Sequence, residues 1–283
     1  IKLDGSYNYN IKPKSICIEF VSANPTGLMH IGHARGAVLG DTISSVLEEV
    51  GHNIKREYYI NDAGEQIKKL NKTIIFHIEN ILKNTTNELF NDLYPGEYLE
   101  NIAKEIFNKF SIKNLNELKK FEKNIIDFVL NDIKEDLAEL GIIHDNFVSE
   151  KNISSSDNIN KLKNKLLESE LAYYGFQEKP KNISDKDWEK KEQLLFCSKK
   201  FGDDSDRSLM KPGGEITYFM SDLLYHINKI ERNFDVLINI WGVDHFGYVK
   251  RLQNALYALC KENFLLDIKL TSLVNLIKNG GKT

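Results

Sequence analysis

The sequence has 283 residues, of which 41% are hydrophobic and 28% charged, with a formal net charge of −3. This size allows one large α/β domain with an insertion, or two modest domains. No apolar run approaches the roughly 20 residues that span a bilayer, which argues against a membrane protein. The slightly acidic balance argues against a protein that wraps nucleic acid over its whole surface, although a local basic patch would still allow binding.

The three cysteines, Cys17, Cys197 and Cys260, are too few and too far apart for a disulfide framework or a zinc knuckle. We therefore expect buried, inert thiols in a cytoplasmic protein. The chain starts at Ile1 without a secretory signal and stops at Thr283 just after a glycine-containing turn signal. These features suggest a fragment of a longer protein.

The first eighty residues alternate between strand and helix patterns. Residues 16–21 predict a strand, a Pro/Gly turn follows at 22–29, and a helical pattern runs from 30 to about 50. Residues 54–60 predict a second strand, and another helix continues to about 82. This order is typical of one half of a doubly wound parallel sheet, whose ligands bind at the carboxyl ends of the strands.

The middle of the chain changes character. Amphipathic helices are predicted around 97–110 and 115–140, with little strand pattern before 194–198. We expect a mostly helical insertion over residues 85–206. It would separate a first half of the main domain at 1–84 from a second half at 207–283.

The alternating pattern resumes after the insertion. A turn at 212–214 precedes a helix near 218–232, then a strand at 236–241 and a helix at 246–260. Residues 268–277 predict a last strand or a mixed segment. The fold class is therefore α/β, a doubly wound parallel sheet interrupted by the insertion.

Two histidines stand at the start of the first predicted helix, in His30-Ile31-Gly32-His33. A helix N-terminus offers free backbone N–H groups and a partial positive charge, which suit a polyphosphate, and Gly32 allows a nucleotide to approach the backbone. The alternative is two histidines with ordinary surface or metal-binding roles. Four residues alone recur by chance, so the surrounding sequence must decide.

Further sequence blocks accompany this tetrapeptide along the chain. They cover residues 19–27, 30–33, 36–41, 56–64, 201–204, 206–207, 217–219, 221–222 and 241–245. Together they resemble the catalytic core of class I arginyl-tRNA synthetases, in which residues 30–33 match the HIGH signature. Only the insertion, which would correspond to the connective peptide of that family, matches weakly.

The resemblance implies an arginine–tRNA ligase with a Rossmann-like class I synthetase core. Such an enzyme activates L-arginine with ATP and Mg²⁺ and passes it to tRNA(Arg) during translation. His30 and His33 would be the catalytic residues, stabilising charge on the phosphates, with Gly32 in the ATP site. We expect a cytoplasmic monomer.

The resemblance also implies an arginine site. Glu19, Tyr218 and Asp222 match residues that bind the guanidinium group, while Ser22 and Asn24 match residues that meet the α-amino group. Two carboxylates beside a phenol suit a planar cation with five donors. Taken alone, Glu19 could instead mark an edge strand or an internal ion pair, and Asp222 could answer a helix dipole from the first helical turn. Ser22 and Asn24 could simply form a turn.

The loop after the predicted strand 236–241 supplies the remaining candidates. Gly242 and Asp244 could hold the ribose of ATP, because a carboxylate at the carboxyl end of a strand can pair with ribose hydroxyls. His245 is assigned to the arginine site, with contact to the nucleotide as an alternative, and for all three residues an ordinary βα loop is the other interpretation. The other histidines lack a second His or Cys at ligand spacing, so we expect no metal-binding residues and no structural zinc.

Several parts of a complete synthetase are missing from the pattern. The lysine-rich KMSKS-type loop, the small N-terminal domain and the C-terminal anticodon-binding domain are all expected to be absent from this chain. We therefore expect an isolated catalytic fragment with poor activity or none. Two other functions stay open: a small-metabolite nucleotidyltransferase, which the Glu19, Tyr218 and Asp222 trio disfavours, and a paralogue that only binds tRNA or senses arginine.

Overall fold

The computed structural model describes residues 11–88, 90, 92–121, 125–177, 190–260, 264–272, 274, 277–278 and 281–282. Its helices are α1 (Ile31–Glu49), α2 (Glu65–Lys83), α3 (Glu97–Phe110), α4 (Leu115–Phe121), α5 (Ile125–Glu139), α6 (Glu150–Ile153), α7 (Ser156–Glu168), α8 (Tyr218–Glu231) and α9 (Phe246–Cys260). Its strands are β1 (Ser15–Glu19), β2 (Asn53–Ile60), β3 (Asn146–Ser149), β4 (Ala172–Phe176), β5 (Glu192–Phe196), β6 (Arg207–Met210), β7 (Val236–Gly242), β8 (Leu265–Thr271), β9 (Ile277–Lys278) and β10 (Gly281–Lys282).

A five-stranded sheet in the order β3-β2-β1-β7-β8 forms the centre of the molecule. All of its neighbouring strands run parallel, which confirms the predicted fold class. From β1 the chain moves outwards to β2 and β3 on one side, and later returns to add β7 and β8 on the other. The strand order reverses between β1 and β7, and by the general rule for such sheets we expect a ligand crevice at the carboxyl ends of these two strands.

Helices cover both faces of this sheet, and two hydrophobic cores result. Because successive side chains of a strand point to opposite faces, Ile16 and Ile18 of β1 enter one core while Cys17 enters the other. The first core contains buried residues of α1, α2, α3 and α5, and the second contains residues of α7, α8 and α9. Cys17 and Cys197 are buried as predicted, whereas Cys260 is partly exposed.

Helix α1 packs unusually close to the end of β1. A Cβ atom added at Gly40 would lie 2.6 Å from both Cβ and Cδ2 of Phe20, so only glycine fits at this crossing. Phe20 is fully buried, and its ring lies 4.2 Å from the His144 ring between centroids. This close packing fixes the height of α1, and with it the position of the helix N-terminus, above the sheet.

Two strands cross the predicted domain boundaries. β3 lies within residues 85–206 but pairs with β2 in the central sheet, and β6 lies in the predicted second half but pairs with β5. The strands β4, β5 and β6 form a small antiparallel sheet, in which β5 overlaps the strand pattern predicted at 194–198 while β4 was not predicted. The boundaries themselves stay predictions.

Smaller differences concern the ends of elements. The single helix predicted at 115–140 is described as α4 and α5, and residues 122–124 between them lie outside the described residues. β8 begins at Leu265, three residues before the predicted segment, and Ile277 belongs to β9. None of the described helices is long and apolar enough to cross a membrane.

Candidate functional site: the crevice at the carboxyl ends of β1 and β7

The two HIGH histidines cap helix α1 reciprocally. His30 is the N-cap residue, and its Nδ1 accepts hydrogen bonds from the backbone N–H groups of Gly32 at 3.2 Å and His33 at 3.4 Å. In return, Nδ1 of His33 accepts from the backbone N–H of His30 at 3.4 Å. The two rings stack with centroids 3.7 Å apart. Because each Nδ1 is an acceptor, the neutral rings carry their protons on Nε2 and can donate from there.

The local environment keeps His33 uncharged at neutral pH. Burial lowers the pKa of His33 to about 4, and the neighbouring His30 adds to this effect. Gly32 is needed for the arrangement, because an added Cβ would lie 3.0 Å from Cε1 of the His30 ring. The helix therefore presents two imidazole donors and a glycine at its N-terminus.

The loop between β1 and α1 contains a left-handed turn. Val21 and Ser22 have φ angles of 70° and 43°, a conformation that is costly for residues other than glycine. Hydrogen bonds hold it in place. The Ser22 hydroxyl donates to Glu19 Oε1 at 3.0 Å and accepts from the backbone N–H of Tyr59 at 3.0 Å, and Asn61 Nδ2 donates to the Ser22 carbonyl at 3.3 Å.

Asn24, further along this loop, is exposed, and its Nδ2 donates to Gln66 Oε1 at 3.0 Å. Of the two residues assigned to the α-amino group, Asn24 thus faces solvent at the rim of the crevice. Ser22 instead holds the turn from within, since its hydroxyl group is bound on both sides.

Glu19 lies in a buried strand, where a carboxylate needs a partner, and it forms an internal ion pair. It is 5% exposed, and its Oε2 accepts a hydrogen bond from Lys229 Nζ at 2.7 Å. Lys229 itself is fully buried. With Oε1 bound to Ser22, both carboxylate oxygens have partners within the protein. Glu19 therefore lies beneath the crevice with its charge already balanced.

Helix α8 begins at Tyr218, so Asp222 lies just beyond its first turn. The prediction that Asp222 belongs to the first turn was therefore wrong. Thr217 caps this helix, and its side chain accepts a hydrogen bond from the backbone N–H of Met220. Asp222 Oδ2 accepts a hydrogen bond from the Tyr248 hydroxyl at 2.6 Å. Burial raises the pKa of Asp222 to about 7; the Tyr248 bond opposes this rise, while the carboxylates of Glu19 and Glu150 add to it.

Glu150 and Tyr59, which the sequence analysis did not predict as site residues, form a buried polar cluster with Asp222. Glu150 is 8% exposed at the end of β3, and burial raises its pKa, opposed by a hydrogen bond from Ser221. The buried hydroxyl of Tyr59 has no hydrogen-bond partner among the described residues. Burial raises the pKa of this phenol far above its ordinary value, and Glu150 and Asp222 add to the rise. A buried polar atom without a partner is rare and points to a missing ligand or water.

The neighbouring loop after β7 places the predicted ribose residues beside this cluster. β7 pairs directly with β1, with Asn239 opposite Glu19, so its end lies next to the HIGH loop. A Cβ on Gly242 would collide with the Asp244 carboxylate, so glycine lets that carboxylate fold back against the strand. Asp244 and His245 are exposed, with Oδ2 and Nε2 3.5 Å apart.

The remaining predicted residue, Tyr218, stands at the first position of α8 with 78% of its surface exposed. Its phenol is exposed to solvent and does not pack beside Glu19. Within the described part of the chain, no group of three or more His, Cys, Asp or Glu side chains could hold a metal ion.

Comparison with known proteins identifies the family of this chain. Residues 4–264 match the family model described as tRNA synthetases class I (R), catalytic domain. The arginine–tRNA ligase of Pelagibacter ubique (strain HTCC1062) is 44% identical over 282 residues, covering 98% of this chain and 49% of that protein. That of Anaplasma phagocytophilum (strain HZ) is 45% identical over 271 residues, covering 94% of this chain and 47% of that protein.

Solved structures show the same fold. A Campylobacter jejuni protein assigned as an arginyl-tRNA synthetase superposes with a TM-score of 0.79 at 34% identity, covering 96% of this chain and 57% of that one. Thermus thermophilus arginyl-tRNA synthetase shares the fold, with a TM-score of 0.63 at 16% identity over 92% of this chain and 49% of that one. The chain spans about half the length of the curated relatives that it matches. It belongs to the family of class I arginyl-tRNA synthetase catalytic domains.

Proposed function

We propose that this chain is the substrate-binding and catalytic part of an arginine–tRNA ligase. The observation that carries the proposal is the cluster of Asp222, Glu150 and Tyr59 in the crevice beside the HIGH loop. Two carboxylates whose pKa values are raised by burial and a phenol without a partner among the described residues lie where a cation would satisfy all three. A guanidinium group fits because it is planar and presents five donors.

The charges of the cluster favour a bound cation. An arriving guanidinium stabilises the ionised forms of Asp222 and Glu150, so their pKa values fall when it binds. Glu19 is already balanced by Lys229, so its part in arginine binding is indirect. Tyr218 remains a prediction at the exposed rim of the pocket, together with Asn24 and His245.

ATP binds across the two loops at the carboxyl ends of β1 and β7. His30, Gly32 and His33 contact the phosphates at the start of α1, and Gly242 with Asp244 holds the ribose. Mg²⁺ prefers oxygen ligands, which imidazole rings do not supply, so phosphate oxygens and water would carry it. When bound, the ion neutralises part of the polyphosphate charge.

The reaction needs no covalent nucleophile from the protein. The arginine carboxylate attacks the α-phosphate of ATP, forming arginyl-adenylate and releasing pyrophosphate. The Nε2–H groups of His30 and His33 stabilise the charge that builds on the phosphate during in-line displacement. Transfer of arginine to the terminal adenosine of tRNA(Arg) follows in the complete protein. A monomeric state and a cytoplasmic location belong to the same proposal.

Arginine-dependent thermal stabilisation of this chain tests the binding step. Arginine at one hundred times its dissociation constant adds about 2.7 kcal/mol to the stability. Lysine and citrulline, which lack the guanidinium group, should add little. Asp222→Asn and Glu150→Gln should each abolish most of the arginine shift, while Glu139→Gln, an exposed acid at the end of α5, should keep it.

Absence of any arginine shift in the unmodified chain, with ATP present, would refute the proposed pocket. Pyrophosphate exchange by the full-length protein, with tRNA present, then tests turnover. Arginine binding without exchange would identify a paralogue that only senses arginine.

A further inference from the structure

A chain of buried hydrogen bonds runs beneath the proposed arginine pocket. It starts at the backbone carbonyl of Asp222, which lies 2.7 Å from His226 Nδ1, and His226 Nε2 in turn lies 2.7 Å from Asn239 Nδ2. Lys229 Nζ donates to Asn239 Oδ1 at 3.0 Å and to Glu19 Oε2 at 2.7 Å. His226, Lys229 and Asn239 are all fully buried.

Donors and acceptors along this chain agree in one direction. A carbonyl oxygen can only accept, so His226 carries its proton on Nδ1 and accepts at Nε2 from the Asn239 amide. The Asn239 oxygen is then left to accept from Lys229. Burial lowers the pKa of His226 to about 3, with the Lys229 charge adding to the effect, so the ring stays neutral. A buried polar chain with every partner satisfied is rigid and specifies one arrangement.

The other end of this series of hydrogen bonds holds the strained turn in the loop between β1 and α1. Glu19 Oε1 accepts from the Ser22 hydroxyl, and Ser22 with Val21 adopts the left-handed conformation. Such strain persists only where the surroundings determine it. The buried chain therefore connects the Ser22 turn, at one end of the pocket, to the Asp222 turn of α8 at the other.

We infer that Lys229, Asn239 and His226 are positioning residues that set the separation between these two turns, and that they thereby select the length of the amino-acid substrate. This inference rests on the proposed function and takes one arginine to contact both turns, with its guanidinium group at Asp222 and its α-amino group at the loop that contains Ser22. An amino acid with the same guanidinium group but one methylene fewer or more would miss one of the two ends.

If Lys229, Asn239 and His226 only stabilised the fold, breaking their hydrogen bonds would affect substrate binding no more than breaking another ion pair of the core. The structure supplies such a pair for comparison. Glu57 is fully buried and opposite Glu19 in the sheet, and Arg232 donates to it from Nη1 at 2.5 Å and from Nη2 at 2.8 Å. Among the described residues, no hydrogen bond joins this pair to Ser22 or Asp222. Arg232→Met is therefore a matched control.

The experiment measures dissociation constants for arginine and for its homologues with one methylene fewer and one more, by calorimetry on this chain with ATP present. One methylene changes binding by about 10–200-fold in a fitted pocket. Lys229→Met and Asn239→Leu should each reduce this discrimination about tenfold or more. Arg232→Met should keep it within about twofold, even though it lowers the stability of the protein.

Asn239→Leu is included because Lys229→Met could prevent the protein from folding. Lys229→Met leaves Glu19 buried without its partner, whereas Asn239→Leu keeps that ion pair and interrupts the chain on the side of His226. Unchanged discrimination in Asn239→Leu, or an equal loss in Arg232→Met, would overturn the inference. So would an unmodified chain that binds arginine without discriminating between the homologues. Failure of the unmodified chain to bind arginine at all would instead refute the proposed function.

Discussion

Replacing Gly40 by alanine should destabilise the protein and displace the HIGH histidines together. The new Cβ would lie 2.6 Å from two atoms of Phe20, well inside ordinary van der Waals contact. Phe20 cannot turn away, because it is fully buried against His144. Helix α1 must therefore lift by about 1 Å, and overpacking of this kind costs about 1–3 kcal/mol.

The net effect follows from two opposing terms. Three Phe20 atoms within reach of the new methyl group place the clash near the upper end of that range, about 3 kcal/mol. Alanine gains about 1 kcal/mol over glycine in a helix interior. The expected destabilisation is thus about 2 kcal/mol, or a melting temperature lower by roughly 4–8 °C.

Gly36→Ala provides the control on the same helix. An added Cβ at Gly36 would meet no atom within 4 Å, so this variant should gain about 0.5–1 kcal/mol from helix propensity alone. Thermal and urea unfolding of both variants would measure the difference, and ATP binding would report the displacement of His30 and His33. Equal stability of the two variants would show that α1 does not rest on Phe20 as described.

Two further predictions concern protonation. Because folding raises the pKa of Asp222 from 3.8 to about 7, the folded state binds more protons, and stability falls as pH rises from about 4 to 7. Asp222→Asn should remove this slope, and above pH 7 it should be more stable than the unmodified protein by on the order of 2 kcal/mol. Unfolding curves measured at several pH values test this. The same pH dependence of stability in both proteins would contradict the assignment. The pKa of His33, lowered to about 4, should rise beside bound phosphates, so ATP binding at pH 6 should be accompanied by proton uptake at this ring. Calorimetry in buffers of different ionisation enthalpy measures this uptake, and an unchanged value in His33→Gln would rule out His33 as its source.

Local patterns were sufficient to predict much of the fold. The apolar periodicity of residues 97–110 predicted α3 with its observed bounds, and the strand patterns around 16–21 and 236–241 predicted the two central strands closely. β3 escaped prediction because it has only four residues, all half-buried, and pairs with a strand far away in sequence. Missing β3 also meant missing Glu150 at its end.

The strand, loop and helix pattern predicted that His30 and His33 stand at the start of α1, and the structure places them there. Their mutual capping depends on side-chain geometry that no pattern encodes, and their catalytic role stays a prediction. A carboxylate in a central strand told us that Glu19 needs a partner, but not that Lys229, 210 residues away, supplies it. Tyr59 likewise looks like an ordinary strand residue until its hydroxyl is found without a partner.

The pairing of Glu19 with Lys229 also constrains how the protein reaches its folded state. During synthesis, β1 and β2 leave the ribosome with Glu19 and Glu57 long before Lys229 and Arg232 exist to balance them. β1 also lacks β7, its neighbour on one side, until residue 236 has been made. Contacts of such high sequence separation slow folding and leave an open strand edge exposed in the meantime. The hydrogen bonds beneath the proposed pocket are thus completed late in synthesis, so we expect substitutions among these buried residues to increase the dependence of folding on chaperones.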